Sequence, residues 1–151
     1  AADLSVFETI SHYANYYDNP RNVDQVIDEV GLREKIDAKA RELSGGQRRR
    51  LDVALGIIGS PQLLFLDEPT TGLDPIALIH LKNLIKQEKA KGKAILLTSH
   101  SISFVNQMAD EIVFLLDGKI YFKGSIEELK RQTNNTDLES GIAELLATHY
   151  V

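Results

Sequence analysis

Two adjacent carboxylates, Asp67 and Glu68, follow an uninterrupted apolar run at residues 63–66. A run of this length followed by charge is typical of a strand buried on both faces of a parallel sheet, and such sheets bind ligands at the carboxyl ends of their strands. Because consecutive strand residues point to opposite faces, we expect the two carboxylates to differ in role, one serving a metal shell and the other orienting a water. Paired acids before a proline also occur at ordinary helix starts, so the pair alone leaves a structural role open.

A second feature suited to phosphate chemistry is the turn at residues 43–47. Ser44 and Gln47 form an S-x-x-Q capping box at the start of a predicted helix. Gly45 and Gly46 have no side chains to shield the first-turn amides, which lie at the positive end of the helix dipole and suit an anionic oxygen. Taken alone, the turn also fits a well-capped helix that binds nothing.

The segment after the acids is predicted to return the chain to the same sheet. Asp74 can cap a helix that has Pro75 at its first position. A second apolar run at residues 94–98 follows that helix and delivers His100 to the sheet edge where Asp67 is expected. Strand, helix and strand at this spacing predict a parallel βαβ unit.

The N-terminal part of the chain has helical periodicity. Apolar positions recur at helical spacing from Val6 to Tyr17. Asn22 can cap a second helix, for which Gly31 provides the C-terminal stop. These short helices carry no catalytic chemistry and are predicted to form a helical layer.

Later segments predict a hairpin and a helical tail. Asp117-Gly118 is a strong two-residue hairpin signal between two apolar runs. We therefore predict three segments along the chain. Residues 3–60 form a helical subdomain with the capped glycine turn, residues 61–124 form the sheet part with the hairpin, and residues 125–151 form a helical tail.

Composition limits the classes of function. The chain has 151 residues, a formal net charge of −5 and no cysteine, which excludes disulfides and thiolate metal sites. The acidic balance does not favour a nucleic-acid surface, and the arginines at 48–50 fan around a helical turn as a solvated or salt-bridged face would. The sequence has no apolar run long enough to span a bilayer and no secretion signal at its start. Since it begins without methionine, we expect it to be a piece of a longer protein.

The order and spacing of these features resembles the nucleotide-binding domain of the ATP-binding cassette (ABC) ATPases over nearly the whole chain. Residues 43–47 match the signature sequence of that family, and residues 63–68 match its Walker B strand. Residues 70–74 match its D-loop, and His100 matches its switch histidine. The resemblance implies an α/β fold, namely the parallel-sheet core of a RecA-like P-loop NTPase with an added α-helical subdomain.

The resemblance also implies roles for three residues in the hydrolysis of ATP. Asp67 would hold Mg²⁺ through its water shell, as Walker B aspartates do. Glu68 would polarise the attacking water as general base. His100 would contact the γ-phosphate and sense its departure. ATP and Mg²⁺ are therefore the implied cofactors.

Other residues are implied to act across a dimer. The signature residues would bind the γ-phosphate of an ATP held by the opposite protomer of a head-to-tail dimer; they are Ser44, Gly45, Gly46 and Gln47. Asp74 would help to couple the two sites across that dimer. The implied partner is a second nucleotide-binding domain, identical or different.

The P-loop of the family, G-x-x-x-x-G-K-[S/T], does not occur in the 151 residues. Gly92-Lys93 and Gly118-Lys119 lack both the upstream glycine and the following hydroxyl residue. The chain therefore resembles the C-terminal portion of the domain, with a core that lacks its P-loop strand. Without that strand the Walker B strand is expected to present unpaired backbone groups. We expect the isolated chain to self-associate or to pair with the missing N-terminal P-loop segment, to bind Mg-ATP very weakly and to be inactive.

The resemblance favours one function above its alternatives. It implies the ATP-binding subunit of an ABC transporter of the exporter type that handles drugs or multiple substrates. Such a subunit is cytoplasmic, lies on the inner face of the cell membrane through a transmembrane permease subunit, and needs no nucleic acid.

Three alternatives stay open at this point. Translation-associated ABC proteins usually carry Asn-His where this chain has Thr71-Gly72. Chromosome-maintenance and DNA-repair ATPases would need a long coiled coil before the signature, whereas Asn19-Pro20 and Gly31 interrupt the helices here. A cassette that only scaffolds a partner is disfavoured because Glu68 and His100 are intact.

Overall fold

The computed structural model describes residues 3–149, with side chains through residue 147. Packing divides the chain into two compact units, Ala1–Thr98 (the first unit) and Ser99–Val151 (the second unit). The boundary between them falls inside the predicted segment 61–124. The division into three segments accordingly stays a prediction.

The first unit alternates helices with a small parallel sheet. Its elements are α1 (Val6–Ala14), α2 (Val23–Glu29), 3₁₀ turns at Arg33–Lys35 and Ala40–Glu42, α3 (Gly45–Ile57), β1 (Leu63–Leu66), α4 (Pro75–Ala90) and β2 (Ala94–Leu97). β1 and β2 pair in parallel, with Leu63 opposite Ala94 and Leu66 opposite Leu97. The predicted βαβ unit and the α/β class are therefore confirmed.

The prediction that the first helix continues to Tyr17 is wrong, because α1 ends at Ala14. Beyond that residue the amides of Tyr16 and Tyr17 donate to the carbonyls three residues earlier, so the chain tightens into a 3₁₀-type turn. The ring of Tyr17 packs against Gly59, where an added Cβ would lie 2.3 Å from a ring carbon. Tyr17 thus packs from a turn rather than from the helix.

The prediction that the first strand is buried on both faces is also wrong. Leu64 and Leu66 are buried, while Leu63 and Phe65 are 47% and 65% exposed. Leu64 packs on the helical layer at Gly56 of α3, where an added Cβ would lie 3.3 Å from its side chain. The sheet is covered by helices on one face, which gives β1 the alternation of a half-buried strand.

A buried ion group ties the C-terminal end of α4 to the loop before α2. Glu88 is 1% exposed and accepts hydrogen bonds from Arg21 at 2.9 Å and from Lys91 at 2.8 Å. Lys93 pairs with its second carboxylate oxygen at 2.8 Å, and Arg21 also binds Glu29. Burial by itself would raise the pKa of Glu88, but the bonds from Lys91 and Lys93 and the charge of Arg21 lower it to about 2.

The second unit combines a hairpin with three helices. Its elements are α5 (Ile102–Met108), β3 (Ile112–Leu116), β4 (Lys119–Gly124), α6 (Ile126–Gln132) and α7 (Leu138–His149). Asp117 and Gly118 have φ of 48° and 73°, as the predicted hairpin turn requires. The centre of the core lies between the hairpin and the helices and contains Ile112, Phe122, Leu129 and Leu138.

Helices of transmembrane length and apolarity are lacking throughout residues 3–149.

Candidate functional site

Asp67 and Glu68 lie immediately beyond the carboxyl end of β1, in the turn that leaves the sheet. The expectation that strand alternation separates their side chains therefore does not apply. Glu68 has φ of 44°, the left-handed region that non-glycine residues rarely adopt, so the backbone turns sharply between the two acids. The local turn at Glu68, rather than strand alternation, therefore sets the course of the backbone past the two acids.

Thr98 connects the two acids through its hydroxyl group. Its Oγ1 accepts a hydrogen bond from the Glu68 amide at 2.9 Å and donates one to Asp67 Oδ1 at 2.5 Å. Thr98 directly follows β2, so the parallel pairing brings it beside the end of β1. Sequence reasoning missed this residue. Its position as the last residue of the second apolar run was the signal that could have indicated it.

The chain after Glu68 makes two consecutive turns. The amide of Thr71 donates to the Glu68 carbonyl at 3.2 Å, with Pro69 at the second position, where its fixed φ is favoured. The amide of Leu73 donates to the Thr70 carbonyl at 3.3 Å. Gly72, with φ of 73°, provides the left-handed conformation inside that second turn. These turns fix the exit from the acids to α4.

Asp74 begins α4 as predicted. Its Oδ1 accepts a hydrogen bond from the Ala77 amide at 2.8 Å, and Pro75 occupies the first helical turn. The side chain is thereby held at the start of the helix. Its predicted part in coupling two sites stays a prediction.

The signature residues form the capped helix start that the sequence predicts. Ser44 Oγ accepts from the Gln47 amide at 3.3 Å, and Gln47 Oε1 accepts from the Ser44 amide at 2.9 Å. Apart from the adjacent residues and the backbone of its own helix, no described atom would lie within 4 Å of a Cβ added at Gly45. A Cβ added at Gly46 would lie 2.8 Å from the Gly72 carbonyl oxygen. The fold therefore brings the signature turn against the D-loop turn.

The arginines that follow the signature anchor α3 to the preceding chain. Arg48 Nη2 donates to the Ala40 carbonyl at 2.7 Å, and Arg50 Nη1 donates to the Gly31 carbonyl at 2.7 Å. The predicted solvated or salt-bridged face is therefore only partly right, since two of these side chains hold backbone carbonyls. Both contacts steady the helix whose first turn carries the signature.

His100 belongs to the second unit. There it lines a cavity of about 260 Å³ together with Ser99, Phe114 and Ile142, among other residues. Asp67, Glu68 and the signature residues belong to the first unit. The predicted contact of His100 with a γ-phosphate stays a prediction.

The donor set is compatible with a magnesium ion that keeps most of its waters. Residues 3–149 contain no cluster of three or more histidine or acidic side chains able to hold a metal by themselves. Mg²⁺ in nucleotide sites is usually bound through one or two carboxylates and the phosphates of the substrate. The exposed carboxylate of Asp67 at the strand end provides one such ligand position.

Comparisons with known proteins agree with this geometry. The ABC transporter family profile matches residues 2–71. ABC transporter A family member 2 of Arabidopsis thaliana is 44% identical over 108 residues, which are 72% of this chain and 11% of that protein. A fluoroquinolones export ATP-binding protein of Mycobacterium tuberculosis is 35% identical over 128 residues, 84% of this chain and 42% of that protein.

Two further comparisons cover more of the matched protein. The lipopolysaccharide export system ATP-binding protein LptB of Acidithiobacillus ferridurans is 34% identical over 131 residues, 85% of this chain and 54% of that protein. A solved structure of the ATP-binding subunit of an ABC transporter superposes with a TM-score of 0.86 at 25% identity, covering 97% of this chain and 64% of that one. The chain thus spans between about a tenth and about half of the length of these curated relatives.

The α/β fold and the motifs at the ends of its elements define an ATP-binding domain of the P-loop NTPase class. Within that class, the chain matches the ABC transporter family over residues 2–71, and its ATP-binding relatives show that it corresponds to part of a nucleotide-binding domain of that kind. The resemblance that the sequence motifs predict is confirmed.

Proposed function

We propose that the protein carrying this chain is the ATP-binding subunit of an ABC transporter, which binds and hydrolyses Mg-ATP in a head-to-tail dimer. The observation that carries the proposal is the ordered pair of acids beyond β1, where Thr98 fixes Asp67 and the backbone of Glu68. Parallel sheets bind their ligands at the carboxyl ends of their strands, and the two carboxylates lie at that end of β1.

The two acids and His100 have different roles in ATP hydrolysis. Asp67 holds Mg²⁺ through its water shell, and Mg²⁺ when bound neutralises charge on the phosphate oxygens. Glu68 orients the attacking water and accepts its proton. His100 contacts the γ-phosphate. This assignment is supported by the exposed position of Asp67 and by the sharp turn that separates Glu68 from it.

The signature turn acts on the ATP of the second domain. The capping box satisfies the Ser44 and Gln47 amides through side chains, while Gly45 leaves open space in front of the first turn of α3. Gly46, the next residue of the same turn, also binds this γ-phosphate. Asp74 couples the two sites, because the D-loop turn before it contacts the signature turn within the first unit.

The same subunit works with a transmembrane permease from the cytoplasmic face of the membrane. Two of the relatives are described as parts of export systems, one for fluoroquinolones and one for lipopolysaccharide. These relatives favour an exporter over the alternatives that act on nucleic acid or the ribosome. The substrate class is drug-like or amphiphilic.

Glu68→Gln in the full-length protein tests the proposal. Because glutamine cannot accept the proton of the attacking water, we expect the rate of ATP hydrolysis to fall about a hundredfold or more. Binding of Mg-ATP, measured by calorimetry, should remain. Glu111→Gln, at an exposed position of the second unit, is the matched control and should hydrolyse ATP at the wild-type rate. Wild-type turnover in Glu68→Gln would remove Glu68 from the catalytic role.

A further inference from the structure

The hydroxyl of Thr98 contacts both acids, the backbone amide of Glu68 and the carboxylate of Asp67, and its place between them points to a function. We propose that Thr98 is a positioning residue for ATP hydrolysis, which sets the carboxylate of Asp67 and the peptide group before Glu68 in their working directions. The inference rests on the proposed function.

The position of Thr98 is itself fixed by the sheet. Its backbone amide donates to the Leu66 carbonyl at 3.0 Å, which extends the parallel pairing of β1 and β2 by one residue. The side chain consequently starts from a backbone held beside the end of β1. A threonine hydroxyl has a single proton, and here that proton is given to Asp67 Oδ1.

The acceptor side of the hydroxyl acts on Glu68. A residue with φ of 44° is strained unless its surroundings hold it, and the Glu68 amide donates to Thr98 Oγ1 at 2.9 Å. The Glu68 carbonyl is held in turn by the Thr71 amide at 3.2 Å. With both backbone polar groups of Glu68 engaged, the direction in which its side chain leaves the turn is set.

The donor side of the hydroxyl acts on Asp67. A hydrogen bond to Oδ1 fixes the rotation of the carboxylate and leaves Oδ2 to face a hydrated metal ion. Asp67 is exposed, so without this bond its carboxylate would rotate in solvent. Loss of the hydroxyl should therefore weaken the response to Mg²⁺ more than the affinity for ATP.

Thr98→Val in the full-length protein tests the inference, because valine keeps the shape and the strand preference of threonine but removes the hydroxyl. We expect turnover to fall about tenfold, the size of effect of one lost hydrogen bond to a charged group. The Mg²⁺ concentration for half-maximal turnover should rise several-fold, while the KM for ATP at saturating Mg²⁺ stays within twofold. Thr98→Ser, which restores the hydroxyl, should return both quantities to near wild type.

Two additional measurements separate positioning from folding. Thr98→Ala, a second variant without the hydroxyl, should match Thr98→Val, and Thr136→Val at an exposed position should match wild type. Electron paramagnetic resonance with Mn²⁺ and ATP should show weaker Mn²⁺ binding in both variants that lack the hydroxyl. A wild-type Mg²⁺ requirement in Thr98→Val or Thr98→Ala, or failure of Thr98→Ser to recover it, would overturn the inference. Absence of ATP hydrolysis in the wild-type protein would instead overturn the proposed function.

Discussion

A side chain at position 46 would have no room, because a Cβ built on Gly46 lies 2.8 Å from the carbonyl oxygen of Gly72. The neighbouring Gly45 has open space at the same point. The two glycines share one turn and one helix start, yet only one of them is required by packing. The pair therefore offers a matched test of the contact between the signature and D-loop turns.

We expect Gly46→Ala to lower the free energy of unfolding by about 1–3 kcal/mol, because the D-loop backbone must shift to admit the methyl group. Gly45→Ala should leave the free energy of unfolding unchanged or raise it by up to about 1 kcal/mol, since alanine favours the helix. Urea denaturation of the full-length variants measures both quantities. Equal stability of the two variants would show that the Gly46–Gly72 approach relaxes without cost.

At the scale of elements, polar residues at both ends of α4 fix that helix in place. α4 is held at its start by the Asp74 cap and at its end by the ion group around Glu88. Since α4 connects β1 to β2, both ends of the crossover are fixed by polar contacts as well as by its buried face, which includes Leu81 and Leu84. Because α4 joins the two strands, these contacts also help to hold the sheet edge that carries the acids.

Glu88→Gln tests the ion group at the end of α4. Glutamine removes the buried negative charge that Arg21, Lys91 and Lys93 share, so we expect the free energy of unfolding to fall by about 3–5 kcal/mol at neutral pH. Glu34→Gln, at an exposed position, should keep wild-type stability. Chemical denaturation at pH 7 measures the difference, and a loss no greater than that of Glu34→Gln would contradict it.

The same carboxylate predicts a pH dependence. The pKa of Glu88 falls from 4.5 to about 2 on folding, so the unfolded chain binds a proton more readily than the folded one. The stabilisation is present above pH 4.5 and is lost as the pH falls toward about 2. Denaturation at a series of pH values in that window should show a steeper loss in wild type than in Glu88→Gln. Parallel curves would exclude this source of acid sensitivity.

At the scale of the whole molecule, one face of the small sheet is apolar and exposed. Leu63, Phe65 and Leu96 are 47%, 65% and 58% exposed on adjacent parallel strands. Within the part of the chain that the structure describes, β1 pairs with β2 alone. Exposed apolar strands of this kind promote association between molecules.

The isolated 151-residue chain is therefore expected to self-associate, with a sedimentation mass above its 16.8 kDa monomer. Replacing Phe65 and Leu96 together by threonine should shift the chain toward monomer, because threonine suits a strand but removes apolar surface. Ile120→Thr, at a strand position of the second unit with 62% exposure, is the matched control and should leave the sedimentation mass unchanged. A wild-type chain that sediments as a monomer at high concentration would contradict the expectation.

Calorimetry on the same chain tests the expected weak binding of Mg-ATP. The 151 residues contain no P-loop, so the backbone cradle for the β- and γ-phosphates is not among them. Micromolar affinity would contradict this expectation.

The amino-acid sequence by itself determined the local elements and the family. The caps at Ser44 and Asp74 and the turn at Asp117-Gly118 form between residues three or fewer apart, so their signals are complete in a short window. The motif order from residue 43 to residue 74 likewise identified the ATP-binding class. These features can be recognised from the order of residues along the chain, without knowledge of tertiary contacts.

The tertiary structure alone decided which distant residues meet. The bond from Thr98 to Asp67 joins residues 31 positions apart, and the approach of Gly46 to Gly72 joins two separate turns. Burial of one face of β1 depended on which elements cover the sheet, which an apolar run such as 63–66 does not reveal. Pairing and packing depend on how separated segments come together in space, and the spacing of residues within one segment carries no direct record of it.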